Sequence, residues 1–299
     1  MRDSLSKTEE RTSYIILVAP AVLLYLFVMA FPAVFSVVLS MSTYNGGKIL
    51  DIKNHSFGGL AAYRKILTDN YFWMSLKNNV YIVLISVFGQ IPLGFFLAYV
   101  LSRGLIKGAD FFQAVIYLPN VIAAVIIGVL FNKFFINTNS VWLEIQRIFN
   151  PAAEFIPGKN AMFPVLLVIL WMYTGIYMII FLANLQKIDV SVIEASKIDG
   201  ASEMQTLRYI ILPALSGVIV TTAILAISGS LKSFDLIWVM TAGGPARRTS
   251  VLAIYMYEKA FRTAPDYPFA NAISTIMVII SFILIGLTRS AEKRFGSGE

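Results

Sequence analysis

Six stretches of this chain run without a charged residue for longer than the roughly 20 residues a helix needs to cross a bilayer's hydrocarbon. They are Thr12–Gly47, Asn78–Ser102, Phe111–Asn132, Asn160–Gln186, Tyr209–Leu231 and Tyr267–Thr288. The pattern predicts an all-α integral membrane protein with six transmembrane helices, near 14–42, 78–102, 111–132, 161–186, 209–231 and 267–288. Residues 14–290 then form a single transmembrane domain between a polar N-terminus, 1–13, and a flexible tail, 291–299, ending Gly296-Ser297-Gly298-Glu299. The first run is too long for a signal-peptide core of ~7–15 residues, so it reads as an uncleaved span. Pro20 and Pro32 lie inside it, as membrane helices tolerate when neighbours satisfy the freed carbonyls.

An even number of spans leaves both termini on one side. The overall balance of Lys and Arg is close. The short 103–110 loop and Arg289, Lys293 and Arg294 decide it, because basic residues mark the inner side in short loops near span ends. Both termini and the 187–208 loop are therefore expected in the cytoplasm. Residues 43–77, 133–159 and 232–266 are expected outside, either as plain connectors or as contact surfaces. The middle one carries Trp142, Phe149 and Pro151 around a short amphipathic stretch.

Between the fourth and fifth runs lies a polar island, Gln186 to Pro213. Its local signals describe helix, turn, helix. Ser191 stands three before Glu194, and Ser202 three before Gln205, both in the capping-box spacing. Gly200 can take the left-handed conformation that closes a helix. Pro213 can kink the second helix, because it lacks an N–H and clashes one turn back. Ala195, Ser196 and Ala201 are small enough for another surface to approach.

Composition sharpens this picture. The chain of 299 residues is 58% hydrophobic and 14% charged, against ordinary values near ~45–50% and ~25%. The net charge of +7 belongs with basic residues flanking spans rather than with nucleic acid. There is no cysteine, and the single histidine, His55, sits in a polar stretch. No G-x-x-x-x-G-K-[ST] phosphate loop occurs, and no His pair, Cys set or nucleophile elbow suggests catalysis. The six runs hold no carboxylate, histidine, lysine or arginine, which argues against a proton-driven carrier. A sodium-coupled sugar carrier could use carbonyls and hydroxyls instead, but it predicts inverted repeats that the sequence does not display.

Polar and aromatic side chains do occur in the later spans. Trp171, Tyr173, Thr174, Tyr177 and Asn184 lie in the fourth, and Thr221, Thr222, Ser228 and Ser230 in the fifth, followed by Lys232, Ser233 and Asp235. Small hydroxyls serve helix packing equally well. As a path, the set suits sugars, whose hydroxyls take hydrogen bonds and whose apolar ring faces lie on aromatics.

Glu194-Ala195-Ser196, then Gly200, Ile210 and Leu212-Pro213 at their spacings resemble the "EAA" loop of permease subunits of binding-protein-dependent ABC importers, with serine where alanine is usual. Trp171, Leu185-Gln186-Lys187-Ile188, Asp199-Gly200-Ala201, Phe234-Asp235, Thr241-Ala242-Gly243-Gly244-Pro245, Thr249 and Ala260-Phe261 extend the resemblance to carbohydrate permeases of the maltose and glycerol-phosphate group. Pro268-Phe269-Ala270 departs from the glycine usual there. The resemblance implies a type I ABC importer fold, five core helices plus one N-terminal helix. It implies no cofactor in this chain, with ATP and Mg on a partner. The partners it implies are a second permease, two ATP-binding subunits, an extracytoplasmic solute-binding protein, a sugar or oligosaccharide and the lipid bilayer of a bacterial or archaeal inner membrane. Glu194, Ala195, Ser196, Asp199, Gly200 and Ala201 would form the ATPase-coupling helix. Trp171, Tyr173, Tyr177, Gly229, Ser230, Ser233 and Asp235 would lie on the substrate path.

Overall fold

The computed structural model describes residues 7–44, 55–104, 106–136, 140–149, 161–262 and 264–295. The Asn45-Gly46-Gly47 sequence, Pro151 and the last four residues lie outside them. Four helices are long and apolar enough to span a membrane: α1 (Arg11–Ser40), α3 (Asn70–Ser102), α7 (Met162–Leu185) and the stretch Tyr267–Ser290 of α13 (Tyr267–Phe295). Two further candidates are bent pairs. Helices α4 (Ala109–Val121) and α5 (Ala124–Phe135) meet at 89°, and α9 (Glu203–Ala214) and α10 (Ser216–Leu231) at 66°. Shorter elements complete the chain: strands β1 (Ser42–Tyr44) and β2 (His55–Phe57), and helices α2 (Ala61–Leu67), α6 (Val141–Phe149), α8 (Val190–Ile198), α11 (Asp235–Thr241) and α12 (Leu252–Phe261).

The differences from the hydrophobic pattern have local causes. Helix α3 starts at Asn70 rather than Asn78, because the Asp69 carboxylate caps it by accepting the N–H groups of Tyr71 and Phe72. The run 111–132 is interrupted at Ile122 and Ala123, whose backbones are extended just after Pro119. The run 209–231 breaks at Leu215, one residue after Ala214 and two after Pro213. Prolines leave a second mark. Three π-type turns, Leu26–Ala30, Ser86–Gln90 and Leu207–Ile211, each end two residues before Pro32, Pro92 or Pro213. A proline donates no N–H and crowds the carbonyl one turn back, and widening the turn relieves that crowding. The segments 43–77 and 232–266, expected as loops, contain helices of their own.

The chain divides into two compact units. One comprises residues up to 68 together with 258–276. In it the hairpin pairs Ser42 with Phe57, Thr43 with Ser56 and Tyr44 with His55. Ser36 Oγ donates to Asn271 Oδ1 at 2.6 Å, and Lys65 pairs with Asp266 at 2.6 Å. Only 6% of the apolar window of α1 is buried in the fold, so packing within this chain does not account for its apolar surface.

The other unit comprises 69–257 and the residues from 277 onward. Its centre is α7, whose buried residues Val165, Val168, Ile169, Met172, Met178 and Phe181 join two apolar clusters. Close helix approach depends on glycine. A Cβ on Gly94 would stand 2.8 Å from Tyr177 Cβ, and one on Gly175 would stand 2.5 Å from the Ile116 carbonyl oxygen. Association within hydrocarbon relies on such close contacts between small residues.

Candidate functional site

A cleft of about 190 Å³, partly open to solvent, lies among α3, α7, α10 and α11. Tyr173 and Tyr177 enter it from α7, one turn apart. Gly229 and Ser230 come from the end of α10, Ser233 from the following turn, and Asp235 from the start of α11. The structure thus gathers six of the seven residues expected on the path. Trp171 is the exception. It is 46% exposed, and its ring meets Phe131 edge-on at 5.5 Å. Two residues along a helix rotate the side chain by about 200°, so Trp171 and Tyr173 face opposite ways. Ser230 and Ser233, three apart, do not share a helix face: α10 ends at Leu231, and Ser233 lies in the connector to α11.

Three polar residues of α3 were not expected at this site. Ser86 and Gln90 lie on the π-type turn before Pro92 and line the cleft. The Gln90 amide nitrogen donates to the Ile169 carbonyl at 2.7 Å. The Ser230 hydroxyl donates to the Ala226 carbonyl at 2.6 Å and lies 3.0 Å from the Ser86 hydroxyl. Asn79 stands just behind the cleft. Its amide nitrogen donates to the Ser230 carbonyl at 3.1 Å, and its oxygen accepts the Leu252 N–H at 2.8 Å. An uncharged amide inside an apolar span was the available signal. Lys232 and Asp235 also line the cleft, and among the described residues no ion pair joins them. Chemically the site is a slot with aromatic faces, hydroxyls, one side-chain amide, an ammonium group and a carboxylate.

Asn79 is completely buried, and both ends of its amide are used. Replacement by Leu leaves the Leu252 N–H without its acceptor, at about 1–3 kcal/mol, and takes one donor from the Ser230 carbonyl, which keeps the Ser233 N–H. Asn79→Leu is therefore expected to lower the thermal midpoint of the detergent-purified protein by several degrees; an unchanged midpoint would rule this role out.

Beyond α11, Thr241-Ala242-Gly243-Gly244-Pro245 forms a tight turn with φ of 48° at Ala242 and 78° at Gly243, and a cis Gly244–Pro245 bond. The buried Thr249 hydroxyl lies 2.7 Å from Thr241 Oγ1 and 2.8 Å from the Gly244 carbonyl. From α3, the Asn78 amide donates to the Arg248 and Ser250 carbonyls at 2.9 and 2.8 Å.

The second candidate surface is the elbow between α8 and α9. Its first arm is capped by Asp189, not by Ser191: the Asp189 carboxylate accepts the Ser191 N–H at 2.9 Å. The earlier carboxylate wins because Ser191 is already inside the helix. That N–H holds the Asp189 carboxyl below its usual range. The cap is thus intact above the ordinary carboxylate range and lost as pH falls through the lowered value.

The arm closes with φ of +81° at Gly200. The Ala201 N–H reaches the Ser196 carbonyl at 2.9 Å and the Gly200 N–H the Lys197 carbonyl at 3.1 Å, which is the Schellman pattern. One residue later the Ser202–Gln205 capping box is present as expected, with both reciprocal bonds. The two arms are pinned by a buried hydroxyl pair, Ser196 and Thr206, 3.1 Å apart. Glu194, Ala195, Asp199 and Gly200 are exposed on the outer side of the elbow.

Fold and sites together define a helical membrane transport subunit with a central polar cleft and a rigid polar elbow. Residues 90–296 match the family described as binding-protein-dependent transport system inner membrane component. The chain is 31% identical over 277 residues to a probable ABC transporter permease protein of Pyrococcus horikoshii, covering 91% of this chain and 93% of that one. It is 32% identical over 272 residues to the lactose transport system permease protein LacF of Rhizobium radiobacter, covering 89% of each. Its fold matches a chain in the crystal structure of a bacterial alginate ABC transporter in complex with an alginate pentasaccharide-bound periplasmic protein. The TM-score is 0.80 at 17% identity, and the match covers 99% of both chains.

The chain belongs to the binding-protein-dependent transport system inner membrane component family. It is a multi-pass permease subunit of an ABC importer with the type I fold. It is not itself an enzyme: in this family ATP is hydrolysed on a separate subunit. Nothing supports the sodium-coupled carrier.

Proposed function

We propose that this chain forms half of the path of a sugar importer and drives it through the α8–α9 elbow. The observation that carries this reading is the cleft itself. Aromatic faces of Tyr173 and Tyr177 stand beside the hydrogen-bonding groups of Gln90, Ser230, Ser233 and Asp235. The name of the lactose relative supports a carbohydrate substrate. Around the chain we place a second permease, two ATP-binding subunits carrying ATP and Mg, and a solute-binding protein outside the membrane. The basic 103–110 loop and Arg289 favour both termini and the elbow in the cytoplasm.

In this reading Glu194, Ala195, Ser196, Asp199, Gly200 and Ala201 form the coupling helix and its turn. They dock on an ATP-binding subunit, and closure of the ATPase pair rocks the elbow and the helices attached to it. Ser196 contributes from inside the elbow, through Thr206, rather than at the docking face.

The test is uptake of radiolabelled lactose and maltotriose into proteoliposomes holding the assembled complex. A buried hydrogen bond to a sugar hydroxyl is worth about 0.5–1.5 kcal/mol, which is roughly two- to tenfold in affinity. Tyr173→Ala is expected to weaken apparent affinity by about that factor while basal ATPase activity persists. Trp171→Ala, facing away from the cleft, is expected to change it little. Equal effects of the two, or none from Tyr173→Ala, would move the path out of this cleft.

A further inference from the structure

The basic loop that follows α3 is joined to the elbow. Arg103, the first residue after α3, donates a hydrogen bond to the Tyr99 hydroxyl. Its guanidinium also lies over the Tyr99 ring, 4.7 Å from the centroid. From there it reaches Glu203, the first residue of α9, at 3.4 Å, and the Tyr99 hydroxyl stands 3.4 Å from the same carboxylate oxygen. Arg103 is held tightly: its side chain is 17% exposed, whereas that of Glu203 is 68% exposed. The Arg103 Nε is buried without an acceptor. A guanidinium carries five donors in a fixed fork, so this one is anchored to α3 while keeping donor capacity in reserve.

We propose that Arg103 is a positioning residue for coupling: it latches the second arm of the elbow to α3. The proposal rests on reading the elbow as the ATPase-coupling element. The latch adds a route. Helix α3 carries Ser86 and Gln90 on the cleft. Through Gly94 it also lies against Tyr177, another residue of the cleft lining; a Cβ there would stand 2.8 Å from the Tyr177 Cβ. Displacement of Glu203 with the elbow pulls on Arg103 and hence on the helix that bears one wall of the cleft. Without the latch, α9 still continues into α10, but across the 66° break at Leu215, where a bend can absorb motion. A largely exposed carboxylate makes a weak tie, so the latch biases this transmission rather than being its sole carrier.

The chain contains no cysteine, which allows a test that needs no sugar. Gly229 lines the cleft, and a Cβ placed on it meets nothing within 4 Å, so Gly229→Cys supplies a single reporter thiol. Its alkylation by a water-soluble maleimide is measured in the assembled complex, without nucleotide and with ATP plus vanadate. With Arg103 and Glu203 intact, nucleotide changes the rate. Glu203→Arg is expected to shrink that change by about two- to fivefold at equal complex assembly. The swap Arg103→Glu with Glu203→Arg is expected to restore it. A full nucleotide response in Glu203→Arg, or no restoration in the swap, overturns the latch. Glu194→Lys is run alongside. If it too leaves the response intact, or if the unaltered complex shows no response, the coupling-elbow reading itself falls. If only Glu194→Lys abolishes the response, that reading stands and the latch alone is wrong.

Discussion

An importer carrying Gly200→Val in this chain is expected to assemble and to lose up to about tenfold in ATP-driven uptake. Gly200 closes the first arm of the elbow at φ +81°. A Cβ placed there meets nothing within 4 Å, so no clash with neighbours is involved. The cost is purely conformational: the left-handed region disfavours a side chain by roughly 1–2 kcal/mol, and most of all a β-branched one. Because 1.4 kcal/mol is a factor of ten, the formed elbow becomes about tenfold rarer relative to opened ones. Helix insertion does not involve this residue, so the amount of chain in the membrane should hold. Glu194→Lys should reach the same end by another route, reversing a charge on the exposed face of α8. The measurement is uptake and stimulated ATPase activity at matched amounts of complex. Normal values for both variants would make the elbow a mere connector.

Gly175→Leu is expected to prevent the chain from accumulating in folded form. A single Cβ at this position would stand 2.5 Å from the Ile116 carbonyl oxygen and 2.8 Å from Tyr117 Cα. Both are backbone atoms, so neither can swing aside as a side-chain end could. Adding one methyl should separate α4 from α7, and overpacking of this kind costs about 1–3 kcal/mol or more. Gly175→Ala should accordingly lower the thermal midpoint in detergent by several degrees, and Leu should remove the monodisperse peak. Gly286→Ala is the control, since its Cβ would meet nothing within 4 Å. A midpoint for Gly175→Ala equal to that of the control would show that α4 and α7 do not approach as described.

Much of the fold and of the elbow is legible in the sequence because it depends on local chemistry. Gly200 and the Ser202–Gln205 pair announce the turn and the second cap through residues at most three apart. The helices follow from charge-free runs, since hydrocarbon imposes a length and a polarity that few segments satisfy by accident. The hidden features depend on competition or on direction. Two capping residues, Asp189 and Ser191, stand two apart, and only the backbone shows that the carboxylate takes the role. The bend after Pro119 lies within an unbroken apolar run, because breaking a helix in the membrane need not change its polarity. Composition groups Trp171 with Tyr173, although their spacing sends them to opposite faces. Gln90, Ser86 and Asn79 carry no charge and match no motif, and their role appears only when α7 and α10 are brought beside them.

The most direct test of the importer reading is the energy source of uptake. Lactose and maltotriose are offered to proteoliposomes prepared with this chain alone, and to others holding its second permease, ATP-binding subunits and solute-binding protein. ATP is supplied on the elbow side, or a sodium gradient in its place. An ATP-driven importer predicts accumulation by the full complex with ATP, no accumulation by the isolated chain under either condition, and no ATP hydrolysis by the isolated chain. Sodium-driven accumulation by this chain alone, without ATP, would contradict it.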